Sequence, residues 1–145
     1  LNIKIIETLR EDLSGIYGGG MYGTLNKYPY TNYSFGVTIP CGPENVDKLI
    51  AATIAEIEKV KSTGPLEADL NKVKETWKQQ YLVSIKDNNF WAQQILQSIQ
   101  NGSDPARILT YEQRVNALTP KEIQTVAKKY LDTKNFAQFV LNPEK

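Results

Sequence analysis

Arg10 and Tyr17 are the two residues of this chain whose types and spacing could do chemistry together. A forked, multi-donor guanidinium and a phenol stand seven positions apart across the turn signal Ser14-Gly15. Arg10 falls near the end of a helical pattern, and Tyr17 falls in the extended, glycine-spaced segment that follows. Each also has a plain structural role open to it. An arginine near a helix C-terminus satisfies the dipole or lays its stem along the surface, and a tyrosine in a strand is often a half-buried aromatic.

Most other catalytic chemistry is missing. The chain has no histidine, so histidine zinc triads, Ser-His-Asp triads and Cys-His dyads are absent. Its single cysteine, Cys41, excludes an internal disulfide and reads as a small residue between Pro40 and Gly42. Gly18-Gly19-Gly20 lacks the Gly-Lys-Ser/Thr ending of a phosphate loop and runs into a strand instead of a helix. Glu11 and Asp12 are adjacent, so on a helix they face different sides and read as a solvated helix end. Trp77, Phe90 and Trp91 sit at helical core spacing and read as packing, whereas Tyr28 and Tyr30, flanking Pro29, could grip a partner or tuck inward.

The elements that must position Arg10 and Tyr17 follow from periodicity. The spacing predicts a helix from about Leu1 to Leu13, with Ile6, Leu9 and Leu13 on one face and glycine as its stop. A strand is expected from Ile16 to Leu25, where glycines mark a bulge or a close backbone approach. A loop follows, then the clean alternation Tyr33, Phe35, Val37, Ile39 of a second strand. Helices are expected over about 44–61, 66–85, 90–99 and 104–116. Asn101-Gly102 ends the third of these, and Asp104-Pro105 opens the fourth. Thr119 with Glu122 three residues later is a capping box that opens a last helix. Asn135 to Leu141 reads as a final short strand. A few antiparallel strands packed on one face by several helices make an α+β domain, spanning residues 1–145 as a single unit.

Composition sets the outer limits. The chain has 145 residues, 41% hydrophobic and 23% charged, which suits a folded domain with a real core. A net charge of +1 gives no long-range attraction to nucleic acid, and no apolar run reaches the roughly 18–20 residues that span a bilayer. Leu1 opens the chain already inside a helical pattern and without a cap, so a fragment of a longer protein is expected. Three strands are a thin sheet for so many helices, which adds to that expectation and suggests that an exposed edge could pair two copies.

At this point an ordered set of segments resembles the C-terminal-type domain of the pitrilysin/insulinase family of zinc metallopeptidases, the inverted zincins of peptidase family M16. Leu9-Arg10-Glu11-Asp12-Leu13-Ser14-Gly15-Ile16-Tyr17 resembles the family segment L-R-E-x-L-G-x-x-Y. Gly64 to Lys74 resembles G-x-x-x-x-E-L-x-x-A-K, with Asp69 and Val73 as departures. Ala92-Gln93-Gln94-Ile95-Leu96 followed by Asn101-Gly102 is similar to the next helix and its turn, and Val115 to Leu131 is similar to V-x-x-L-T-x-x-D-I-x-x-A-x-x-Y-L. Phe139-Val140-Leu141-Asn142-Pro143 resembles the family's last strand.

The resemblance implies the metallohydrolase fold shared by the LuxS and mitochondrial-processing-peptidase (MPP) types. It implies a substrate-binding, chamber-closing domain that holds no metal itself, with zinc on an H-x-x-E-H motif in the parent's other domain. That zinc-bearing domain and a peptide substrate are the implied partners, with no nucleic acid and no membrane segment. Arg10 and Tyr17 match the positions that reach the substrate near the scissile bond. A periplasmic or otherwise exported bacterial protein is the favoured setting. Two alternatives remain open here. A non-catalytic partner subunit of the same fold predicts no H-x-x-E-H upstream, and a stand-alone peptide-binding module predicts tight peptide binding by these residues alone.

Overall fold

The computed structural model describes residues 1–12 and 18–142. Helix α1 (Asn2–Ile6) runs into a π-helical stretch, Glu7–Asp12, and two strands follow, β1 (Gly20–Asn26) and β2 (Asn32–Thr38). A 3-10 turn, Pro43–Asn45, leads into α2 (Val46–Thr63), then α3 (Glu67–Ser84) and α4 (Asn88–Asn101). A second 3-10 turn, Pro105–Ile108, precedes α5 (Tyr111–Ala117) and α6 (Pro120–Tyr130). The class is α+β, as expected. The chain divides into two compact units, Leu1–Pro65 with Ile123–Lys145, and Leu66–Glu122.

In the first unit, Ile5 and Leu9 are almost wholly buried against Leu49 of α2, with Met21, Val37, Ile39 and Cys41 packed around them. The buried pair is four residues apart, the spacing that puts two side chains on one helix face. Ile6 lies at the margin of this cluster, and Leu13 of the expected face lies outside the described residues. Helix α2 starts later than expected because Pro43, which fixes φ, builds the 3-10 turn first. The α2 end is held by Gln124 of α6, whose amide nitrogen donates to the carbonyls of Lys61 and Ser62. Those carbonyls belong to the last turn, where no intrahelical donor remains.

β1 and β2 form one antiparallel ribbon, in register from Gly20 opposite Thr38 to Asn26 opposite Asn32. Its glycines make room for rings on the facing strand. A Cβ on Gly23 would come within 2.6 Å of the Phe35 ring, and one on Gly36 within 2.4 Å of Tyr22. This is the close approach the strand glycines signalled. The inner end of the alternating face enters the core through Val37 and Ile39, while Tyr33 meets Tyr130 edge-on at 5.1 Å.

Two expectations fail. Residues 135–142 form no strand, so among the described residues the sheet has two strands and not three. A strand exists only where a neighbour takes its hydrogen bonds; among the described residues neither β1 nor β2 pairs with this segment, and Phe139 and Leu141 are 93% and 98% exposed. The helix expected over 104–116 is two elements. Asp104 caps a 3-10 turn through Ala106 N–H, and the Arg107 carbonyl then accepts from Thr110 N–H, the Thr110 hydroxyl and Arg114 Nη2. With that carbonyl occupied, the chain restarts as α5 and does not continue one helix.

In the second unit, α3 packs on α5 and α4 packs on the Pro105–Ile108 turn. Leu70, Ile108 and Val115 are its buried aliphatics. Helix α4 is bounded as its sequence requires: Asp87 accepts from Asn89 N–H at 2.9 Å, and Gly102 at φ +64° lets Ser103 N–H reach the Ser98 carbonyl. The expected capping box closes fully. Thr119 N–H donates to Glu122 Oε2 at 2.8 Å, and Glu122 N–H donates to Thr119 Oγ1 at 3.2 Å.

Candidate functional site

Arg10 sits on the π-helical stretch, directly after the buried Leu9, and is exposed. That contrast is the local reason for its orientation: with Leu9 fixed in the core, the next residue is carried out of it. A π-helical turn widens the backbone relative to an α-helix and recurs at functional sites. Its guanidinium offers a planar fork of donors to a carbonyl or carboxylate. Tyr17, the second candidate, lies outside the described residues, as do the Ser14-Gly15 turn and Ile16.

The two flanks of that segment are tied to each other. Asn2 Oδ1 accepts from Met21 N–H at 2.8 Å, so the start of α1 is bonded to the start of β1. Met21 also packs on the Ile5–Leu9 pair. Thr8 donates to Glu56 of α2 at 3.3 Å. Gly19 has φ +101°, and a Cβ there would lie 2.2 Å from the Thr38 carbonyl oxygen. The glycine run is therefore a tight crossing beside β2, with the strand behind it, in line with the rejection of a phosphate loop.

Two carboxylates are shifted, and both serve structure. Glu122 is held below the usual carboxylate range by the Thr119 hydroxyl and then the Thr119 N–H. Glu58 is lowered by hydrogen bonds from Lys61 and from Thr133. Among the described residues no group of three or more His, Cys, Asp or Glu side chains could hold a metal ion. The donor set does not fit zinc, since the chain has no histidine and one cysteine. Among the described residues no helix is long and apolar enough to cross a membrane.

The sequence comparison shows the family, and the structure comparisons show the fold. The sequence profile of the peptidase M16 inactive domain matches residues 2–76, just over half of the chain. No curated protein sequence matches the chain. Among solved structures, the fold resembles the periplasmic protease PqqL from Escherichia coli, with a TM-score of 0.72 at 23% identity, covering 90% of this chain and 15% of that one. A protease from Helicobacter pylori superposes with a TM-score of 0.64 at 16% identity, over 87% of this chain and 30% of that one. The inactive peptidase domain of a candidate zinc protease from Bordetella parapertussis gives 0.61 at 17% identity, over 87% of this chain and 69% of that one. This chain is thus a member of the peptidase M16 inactive-domain family.

Trp77, expected as packing, is 39% exposed and lines a cleft to which Arg107 and Arg114 also contribute. The signal was present as two arginines seven apart, flanking Tyr111. Their proximity depends on the break between the Pro105–Ile108 turn and α5, which periodicity did not predict.

Proposed function

We propose that this chain is the substrate-binding, chamber-closing domain of a zinc metalloendopeptidase, without metal of its own and inactive alone. The observation that carries the reading is the match to the peptidase M16 inactive domain in a chain that has no histidine. The partner is the zinc-bearing domain of the same parent protein, and the substrate is a peptide. Zinc in that other domain would supply an activated water. Arg10 holds a substrate carbonyl or carboxylate. The Tyr17 phenol donates to the oxyanion that develops during hydrolysis, the kind of fixed electrostatic help that lowers such barriers most. An exported, periplasmic setting is supported by the described setting of PqqL.

Metal analysis of the full-length protein tests the division of labour. The expected outcome is about one zinc per parent chain, loss of peptide hydrolysis on chelation, and no stoichiometric zinc on the isolated 145 residues. Zinc bound tightly by the isolated chain would overturn it.

A further inference from the structure

The second unit carries a cleft that the peptidase reading does not use. It measures about 420 Å³ and is lined by α3, α4, the Pro105–Ile108 turn and α5, a size common among small-ligand sites. Its floor is aromatic and fixed. Tyr81 and Tyr111 stack at 4.8 Å and 25°, Phe90 stands edge-on to Tyr81 at 6.3 Å, and the Tyr81 hydroxyl is held by the Ile108 carbonyl at 3.0 Å.

The cleft is also positive. Arg107 and Arg114 line it, together with the amides of Gln80, Gln94 and Gln97, and no Asp, Glu or Lys does. That composition is selective in a chain with 16 acidic residues. Arg114 is held in place by donating Nη2 to the Arg107 carbonyl at 3.1 Å, with its guanidinium 5.7 Å from the centre of the Tyr111 ring. Among the described residues no carboxylate pairs with either guanidinium. Two uncompensated forks beside an aromatic floor call for a planar anion joined to a flat apolar group. The glutamines offer donors and acceptors together, the complement of a peptide group next to that anion.

We infer that this cleft binds an aromatic carboxylate carrying an amide, whether a free N-acylated aromatic amino acid or the C-terminal residue of a peptide. The carboxylate pairs with Arg107 and Arg114, the ring lies on the Tyr81–Tyr111 stack, and the amide meets the glutamines. This is independent of Arg10 and Tyr17, so either assignment can fail without the other.

The test titrates the 145-residue chain with N-acetylphenylalanine and with N-acetylphenylalaninamide, following the Trp77 indole N–H by NMR. The acid is expected to bind about tenfold or more tightly than the neutral amide, and less tightly as salt is raised. Arg107→Gln and Arg114→Gln should each weaken the acid and leave the amide unchanged. Because Arg114 also braces the Arg107 carbonyl, Arg107→Gln decides the matter if Arg114→Gln alters the fold. Acetyl-Ala-Ala-Ala-Phe with a free carboxylate separates the sources: tighter binding than N-acetylphenylalanine marks a chain end, and equal binding marks a free acid. Equal affinity for acid and amide, no binding of the acid, or an Arg107→Gln protein that binds the acid normally would overturn the inference.

Discussion

Single residues decide how the segment around Arg10 is held. The glycine run was legible as a place of close backbone approach, but which glycine is indispensable was not, because that depends on Thr38 across the ribbon. Gly19 combines φ +101° with a neighbouring carbonyl oxygen where its Cβ would be, whereas among the described residues nothing lies within 4 Å of a Cβ on Gly18. Gly19→Ala should therefore cost about 2 kcal/mol or more of stability, while Gly18→Ala should be close to neutral. Urea denaturation of the two variants checks this, and equal midpoints would contradict it. The buried pair gives a second expectation at this scale. Leu9 is 1% exposed, so Leu9→Ala should destabilise by about 2–5 kcal/mol through a cavity that the π-helical stretch cannot close. Arg10 itself was legible by type and spacing. Its outward placement follows from Leu9 being inward, as the apolar spacing implied and the packed core bears out.

Elements were legible where their determinants are local. The capping box at Thr119 and Glu122, the αL stop at Gly102 and the β2 strand all have determinants within a few residues of chain, and all three are present, although Tyr33 and Phe35 of the expected apolar face remain 46% and 45% exposed. The third strand failed because it depends on a pairing edge distant in sequence, and the unbroken 104–116 helix failed because Thr110 and the Arg114 side chain take the Arg107 carbonyl, a contact that apolar periodicity does not encode. The capping box carries a pH signature. Glu122 is depressed by the Thr119 hydroxyl and the Thr119 N–H. A carboxylate with a lowered folded-state pKa stabilises fully above its unfolded value, and that contribution disappears as pH falls through the folded one. Thr119→Val should lower Tm by a few degrees near neutral pH, with the gap to the parent chain closing in acid. A gap independent of pH would show that the hydroxyl does not act through Glu122. The ribbon adds a proposal of its own: two strands with Tyr22 and Leu25 60% and 72% exposed should pair edge to edge between copies. Sedimentation at rising concentration should show dimer growth, and a monomer throughout would refute the pairing.

At the scale of the whole molecule, α+β class and family membership were legible from the order of weak segments more than from any one motif. What was not legible is the division into two compact units, since the helical patterns run on through the boundary near Gly64-Pro65 without a change of composition. The missing histidine takes its meaning at this scale. In an isolated enzyme it would argue against metallopeptidase chemistry; in a member of the peptidase M16 inactive-domain family it is compatible with the proposed division of labour, in which zinc sits on another domain. The central claim is that this half touches the substrate through Arg10 and Tyr17. The most direct test is kcat/KM for peptide hydrolysis by the full-length protein carrying Arg10→Ala or Tyr17→Phe, with zinc content measured in the same samples. The account predicts that each variant loses about tenfold or more, about 1.4 kcal/mol of transition-state stabilisation, with zinc unchanged. Near-normal turnover in both would contradict it.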